Sequence, residues 1–429
     1  MRMKCLVGLI LIFFMVAQGS AQESPVLLTL EESVKIALSR SLDLHSAILD
    51  VNASQYTAKS AFTGFLPKWT AQYEYNRLSR PSTIPPLGSR NTYDFATGVS
   101  QPLFAGGSIL ANYRLERFGV DVSRMNVEIA KLNIVLQVRE GYFSILSALK
   151  LQDVAEQNVK LFESQLNVTK AFFDVGIVAK NDVLQGEVRL AQAKQDLVKA
   201  ENGVALAKAF FNTLLRRGID APLELVDVLE YRPFPMPFEE SLQEALQRRP
   251  EIRAAELNIR QTLEAVKIAR GGYFPTVGLT GAYGRTSDEP TLSGDLAAER
   301  WNIATLATFT IWEWGNTAYK VGEGKVRVNQ AEDIKIQLAE SIVLDLKQAY
   351  LNMTQAEKNI GVAQKAIEQA EENLRMNEER YKYQVATATD LLNAVTFLTQ
   401  ARVNYYSALS DFNIAKARLE RAMGRMPTA

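Results

Sequence analysis

The sequence predicts a mainly α fold with transmembrane β: long α-helical coiled-coil hairpins plus four transmembrane β-strands per chain. Three observations predict it. The second half of the chain repeats the first at one constant offset. Each half carries a helical run of about 66 residues, far longer than an ordinary globular helix, broken once by a short loop. Each half also holds two stretches of apolar/polar alternation, the mark of strands with two different faces.

The duplication organises everything else. "LEESVKIAL" (30–38) faces "FEESLQEAL" (238–246), and "GFLP" (64–67) faces "GYFP" (272–275), 208 residues on. Tyr75, Arg77, Gly107, Tyr142, Asp182 and Leu184 face Tyr283, Arg285, Gly315, Tyr350, Asp390 and Leu392 at that same offset of 208. Chance matches do not hold one offset over roughly 160 residues. The chain therefore divides into a signal peptide at 1–21, a first repeat at 22–216, a connector at 217–237 and a second repeat at 238–429.

The signal peptide rests on Arg2 and Lys4, the apolar stretch 6–17, and the small residues Gly19, Ser20 and Ala21. Twelve apolar residues are too few to span a bilayer as a helix. Cys5, the only cysteine, lies before that stretch, so we expect no lipid anchor and no disulfide in the exported chain. Formal charge is zero, which leaves no electrostatic footprint for nucleic acid.

Within each repeat the order is the same. A helix of about 34 residues (30–63; 238–271) precedes two strands (66–77 and 92–104; 274–285 and 301–313). A long helix follows (108–173; 316–381), then a turn, then a return helix (182–215; 390–423). Pro222, Pro233, Pro235 and Pro237 mark the connector as non-helical. A 66-residue helix is roughly 100 Å long. Two shorter helices stacked end to end match that length. The short connector suggests that 182–215 stacks on 238–271, and 390–423 on 30–63.

The return helices carry heptad seams. In the last helix the seam runs Leu391, Val395, Leu398, Arg402, Tyr405, Leu409, Phe412, Lys416, Leu419 and Met423. The first-half seam is weaker, because Glu187, Lys194, Glu201 and Lys208 interrupt it. The strands alternate. Trp69, Ala71, Tyr73 and Tyr75 share one face, while Lys68, Thr70, Gln72, Glu74 and Asn76 share the other. Tyr93, Phe95 and Val99, then Val277, Leu279 and Tyr283, then Trp301, Ile303, Phe309 and Ile311 make the apolar sides of the other three. Ten to twelve residues is the span that a tilted transmembrane strand needs. Four strands do not close a barrel, and open edges are not tolerated in lipid, so closure demands several chains. Counting alone does not choose three over two.

The chain resembles the TolC-type outer-membrane efflux channel family. The resemblance covers essentially all of the mature chain. It is carried by the two "EES" openings, "FLP" and "YFP", "QPLFAGG" (101–107), and the turns "VGIVAKNDVL" (175–184) and "YQVATATDLL" (383–392). It implies a homotrimer closing a 12-stranded barrel in the outer membrane, and a 12-helix tunnel reaching into the periplasm. It implies outer-membrane lipid around the barrel. It also implies docking to a periplasmic adaptor (membrane fusion) protein and an inner-membrane transporter, for efflux or type I secretion.

The family's gate lies at the helix turns farthest from the membrane. Its acidic ring positions fall on Asp390 and on Asn393, which is not acidic here. Its closing link falls on Tyr381 and Asp182, and a second linking Arg falls on Ala386. The adaptor-docking tips correspond to Gly176, Ile177, Val178, Val385 and Ala386. Asp182 and Asp390 also stand where a helix N-cap is favoured, a structural role that competes with gating.

No enzyme signature accompanies these features, and no cofactor or metal is expected. His45 is the only histidine, and "VGEGK" (321–325) lacks both the Walker spacing and a preceding strand. The alternative reading is a soluble periplasmic coiled-coil adaptor or scaffold, which shares the hairpins but needs no detergent.

Overall fold

The computed structural model describes residues 26–81, 89–293 and 297–426. The proposed signal peptide at 1–21 lies outside the described residues. The first repeat contains β1 (Val26–Leu28), α1 (Leu30–Arg40), α2 (Leu42–Phe62), β2 (Lys68–Arg77), β3 (Asn91–Ala105), α3 (Ser108–Asp174) and α4 (Lys180–Leu214). After β4 (Leu223–Leu225) come α5 (Phe238–Arg248), α6 (Pro250–Arg270), β5 (Thr276–Ser287), β6 (Ala298–Thr308), α7 (Asn316–Lys382) and α8 (Ala388–Ala422).

The two rods α3 and α7 each run 67 residues, or about 100 Å. Both start behind a glycine in the left-handed region, Gly107 at φ +79° and Gly315 at +81°. That conformation lets the chain leave the strand and enter a helix within one residue.

The first helix of each repeat is not continuous. It breaks at Ser41 (ψ 126°) and Arg249 (ψ 120°), which are extended. Ser41 caps α2 by accepting the Leu44 N–H at 3.3 Å. Pro250 opens α6. A proline pushes its predecessor out of the α region and suits the first helical position.

The stacking of rods also differs from expectation. α4 and α2 lie along α3, whereas α8 and α6 lie between α3 and α7. The reason is the path of the connector. Asn212 Nδ2 donates to the Ile219 and Ala221 carbonyls (3.1 and 2.9 Å) and closes the turn after α4. β4 then pairs in parallel with β1, the segment that leads into α1. The Tyr142 hydroxyl clasps both, at 2.7 Å from the Val226 carbonyl and 3.1 Å from that of Leu28. Burial pushes its pKa up to about 12.

The chain next crosses α8. Asn413 Nδ2 reaches the Glu230 carbonyl (3.1 Å), the Tyr231 ring lies 5.0 Å from Phe412, and Phe238 lies 5.6 Å from Tyr350 on α7. A belt, not a short bulge, thus delivers α5 and α6 to the α8 side. There Arg421 pairs with Glu251 at 3.2 Å and Arg425 with Glu244 at 2.5 Å. Arg249, 3% exposed, donates to Glu251 (3.0 Å) inside the same junction.

The seams pack as hairpins. Leu391, Val395, Leu398, Leu409, Phe412 and Leu419 of α8, with Met423 at its C-cap, are all buried. Each such side chain contributes about 1.5–3 kcal/mol relative to exposure. Two of the four polar interruptions in the α4 seam pair across to α3: Glu187 with Lys170 (2.9 Å) and Lys194 with Glu163 (3.0 Å).

The sheet has the order β2–β3–β5–β6, antiparallel throughout. β6 ends at Thr308, so Phe309 and Ile311 lie beyond the strand rather than within it. Among the described residues no helix is long and apolar enough to cross a membrane.

Candidate functional site

The hairpin tips are built from the same turn twice. After α3 the Gly176 N–H donates to the Phe173 carbonyl (2.9 Å) and the Ile177 N–H to that of Phe172 (2.8 Å). After α7 the Gln384 N–H donates to Tyr381 (3.0 Å) and the Val385 N–H to Arg380 (2.8 Å). This paired pattern is a Schellman motif, which needs a left-handed residue just past the helix. Gly176 supplies it at φ +76° without strain; Gln384 supplies it at +60°.

The acidic residues sit deeper in their helices than an N-cap. The cap of α8 is Thr387, and Asp390 is three residues inside. Thr387 Oγ1 accepts the Asp390 N–H (3.1 Å), while Asp390 Oδ2 accepts from Thr387 N–H (3.0 Å) and Oγ1 (2.7 Å). The Thr387 hydroxyl, then its N–H, hold the exposed Asp390 carboxyl below its ordinary value. Asp182 has the equivalent position in α4, but its cap is Ala179, which offers no side-chain acceptor. Helix begins sooner than the apolar pairs suggest because Ala179 and Thr387 are the last extended residues (ψ 154° and 159°).

Asp390 and Asn393 are both exposed, one turn apart on α8. Asn393 and Thr389 line a groove shared with Asn181, Gln185 and Arg189 of α4. Thr389 Oγ1 donates to Gln185 Oε1 at 3.2 Å and ties the two tips together. Tyr381 is buried, with its ring 5.6 Å from Phe172 and its hydroxyl 3.2 Å from Thr169 Oγ1. Within this chain Tyr381 therefore meets α3, not Asp182. Thr169 also donates to the Gln165 carbonyl (3.0 Å), and Gln165 Nε2 reaches Glu378 (3.2 Å). Sequence reasoning missed Thr169, Gln165 and Gln185; their only signal is that they face the other hairpin. Gly176, Ile177 and Val385 are exposed at the tips, beside half-buried Val178 and Ala386.

At the other end, the register places side chains of one kind on one face. Trp69 pairs with Val99, Tyr73 with Phe95 and Tyr75 with Tyr93. Tyr283 pairs with Trp301, and Gly281 with Ile303. A bulge between Pro102 and Phe104 brings Phe104 opposite Val277, on the same face. Trp69, Trp301 and Ile303 are more than 70% exposed. So large an apolar face is not left to water. The Trp69 indole donates to Thr97 (2.7 Å), which satisfies its one polar atom. Arg285 and Glu299 (3.1 Å) close that face at its upper rim. The opposite face carries Thr70, Gln72, Asp94, Gly98, Ser100 and Thr280, which suit water. Both outer edges, β2 and β6, are unpaired among the described residues.

Comparison with known proteins decides what this combination is. The sequence profile of the outer membrane efflux proteins matches residues 34–215 and 241–425. The chain belongs to the outer membrane efflux protein family.

Outer membrane efflux protein BepC of Brucella suis is 23% identical over 401 residues, covering 93% of this chain and 86% of that one. The probable efflux pump outer membrane protein TtgC of Pseudomonas putida is 26% identical over 61% of this chain and 54% of its own length. The fold matches the CmeC outer membrane channel of Campylobacter jejuni with a TM-score of 0.80, at 19% identity, over 92% of this chain and 85% of that one. It matches the open state of the MtrE outer membrane channel of Neisseria gonorrhoeae with a TM-score of 0.77, at 23% identity, over 92% and 88%. The chain thus has the fold of TolC-like outer-membrane channels, with a helical tunnel part and a membrane sheet. Its relatives are channels, not enzymes, and no cluster among the described residues would hold a metal.

Proposed function

We propose that three copies of this chain form the outer-membrane exit duct of a tripartite efflux or type I secretion system. The duct is passive and gated at its helix-hairpin tips. The observation that carries the reading is the four-stranded sheet with two open edges and one exposed aromatic face. Such edges are tolerated in lipid only when paired. The sheet alternates in direction from β2 to β6, so β6 of one copy can meet β2 of the next antiparallel. Two copies would give eight strands, whose interior is filled by side chains. Three give twelve, with room for a water-filled lumen, and twelve helical rods below it.

The tips supply the gate. Three copies of Asp390, each kept ionised by Thr387, would ring the axis, with the neutral Asn393 one turn behind. Tyr381 holds the α7–α8 hairpin against α3, and the Asp182 carboxylate, without a salt-bridge partner among the described residues, can meet a neighbouring copy. Exposed Val175, Ile177, Tyr383 and Val385 offer apolar contacts to a periplasmic adaptor, which links the duct to an inner-membrane transporter. Energy comes from that transporter, so the duct itself needs no catalytic chemistry.

The test is the particle mass in detergent together with current across a planar bilayer. A trimer that conducts supports the reading. A detergent-independent monomer that never conducts refutes it.

A further inference from the structure

On the wall just beneath the sheet, α2 and α3 enclose a groove of about 420 Å³ lined by Gln55, Lys59, Phe62, Tyr113, Arg117 and Arg124. Its upper end is aromatic: Phe62 lies 5.8 Å from Phe65 and 5.7 Å from Tyr113. Its lower end is cationic. Arg124 is held by Asp121 at 3.0 Å. Among the described residues, neither Lys59 nor Arg117 has a carboxylate within salt-bridge range. The Lys59 ammonium only approaches the Tyr56 ring, at 5.2 Å from its centroid.

Backbone chirality fixes the side on which this groove opens. The Leu78 N–H donates to the Arg90 carbonyl (2.8 Å), so even-numbered β2 residues carry the bonds to β3. Those residues form the polar face. For L-residues, β3 then lies to the right of the ascending β2 when seen from that face, and α3 lies to the right of α2. In right-handed helices ascending at α2 and descending at α3, Gln55, Lys59, Arg117 and Asp121 turn to the far side. That is the side of Trp69 and Trp301, outside the lumen.

The height follows from helical rise. Lys59 stands three residues below Phe62 and Arg117 four below Tyr113, about 4.5 and 6 Å. The headgroup layer is about 5–8 Å thick beneath the hydrocarbon. Above the groove the exposed Leu66 and Trp69 continue the apolar surface.

We propose that this groove binds an anionic phospholipid of the inner leaflet. Lys59 and Arg117 hold the phosphate, and the first acyl carbons lie over Phe62, Phe65 and Tyr113. The second repeat does not reproduce the site. Arg270, Val321 and Glu332 replace Phe62, Tyr113 and Arg124, and Lys267 is taken by Glu264 at 2.7 Å. A trimer therefore carries three such sites. The inference rests on the placement of the sheet in the membrane.

The test compares lipid retention by the full-length particle after delipidation, reconstituted with phosphatidylglycerol or phosphatidylcholine and read by native mass spectrometry. Wild type retains phosphatidylglycerol over phosphatidylcholine. Lys59→Ala with Arg117→Ala lowers that retention roughly tenfold or more. Lys59→Arg with Arg117→Lys, which keeps the charge, stays within about twofold. Lys160→Ala with Lys365→Ala, on the distant exposed rods, changes nothing. Equal retention in the alanine double variant, or equal retention of both lipids by wild type, overturns the proposal. Loss of binding to isolated cell-wall sacculi, with lipid retention intact, would assign the groove to peptidoglycan instead. A wild type that does not conduct refutes the channel reading; a conducting particle with unchanged lipid retention in the alanine variant refutes this site alone.

Discussion

Tyr381→Phe separates two versions of the gate. The Tyr381 hydroxyl is buried, and its one hydrogen-bond partner among the described residues is Thr169 Oγ1 at 3.2 Å. Thr169 keeps its bond to the Gln165 carbonyl, so phenylalanine leaves no buried orphan there. The loss is one neutral hydrogen bond, about 0.5–1.5 kcal/mol per chain. If three tips open together, the closed state loses about 1.5–4.5 kcal/mol, a rise in open population from roughly tenfold to over a thousandfold. The assay is resting conductance in a planar bilayer, beside the leak of a large antibiotic into intact cells. Asp182→Ala, whose carboxylate has no salt-bridge partner among the described residues, is the comparison. If Tyr381→Phe leaves conductance unchanged while Asp182→Ala raises it, the intrachain Thr169–Tyr381 link is not what holds the tip shut.

Three further substitutions test other parts of the account. Thr387→Ala removes the hydroxyl, the stronger of the two Thr387 donors that hold the Asp390 carboxyl below its ordinary value near 3.8, and leaves the backbone N–H in place. A depressed carboxylate stabilises above its unfolded pKa and loses that contribution as pH falls through its lower folded value. Cation selectivity of the pore should therefore survive to lower pH in wild type than in Thr387→Ala, read as reversal potential against pH. Glu251→Gln takes the carboxylate from the buried Arg249 and the half-buried Arg421, leaving them Asp345 (3.7 Å) and Asn133 (2.9 Å), and should cost about 1.5–3 kcal/mol per chain. Glu256→Gln, which breaks an exposed pair with Lys335 (2.8 Å), should cost under about 1 kcal/mol; denaturant titration compares them. Gly106→Ala would place a Cβ 2.4 Å from the Gly271 carbonyl oxygen at φ +60°, costing more than about 1–2 kcal/mol. Gly203→Ala on open helix surface, with nothing within 4 Å, should instead stabilise by about 0.5–1 kcal/mol, and recovery of folded trimer on a gel distinguishes the two.

Periodicity revealed what depends on period. The strand faces came from alternation, and cross-strand register keeps Trp69, Val99, Tyr283 and Trp301 on one side as their spacing requires. The α8 seam came from heptads, and its apolar members are buried except for half-buried Tyr405. Local backbone chemistry was harder to see inside long helical patterns. Ser41 and Arg249 interrupt α1–α2 and α5–α6, although Pro250 announced the second break. Thr387 took the cap that its neighbour Asp390 was expected to fill. Long-range geometry was not legible at all. No pattern in 217–237 shows that β4 pairs with β1 and that the chain then crosses α8, so the stacking partners of the return helices came out reversed. The tip contacts Thr169–Tyr381 and Gln185–Thr389 join residues 204–212 positions apart, a relation set by how two hairpins lean together.

The most direct test of the central claim is current through purified protein in a planar lipid bilayer. The account predicts discrete, long-lived conductance steps from a detergent-extracted trimer, enlarged when the tips are loosened by Tyr381→Phe. A folded particle that inserts no conducting pore would contradict it.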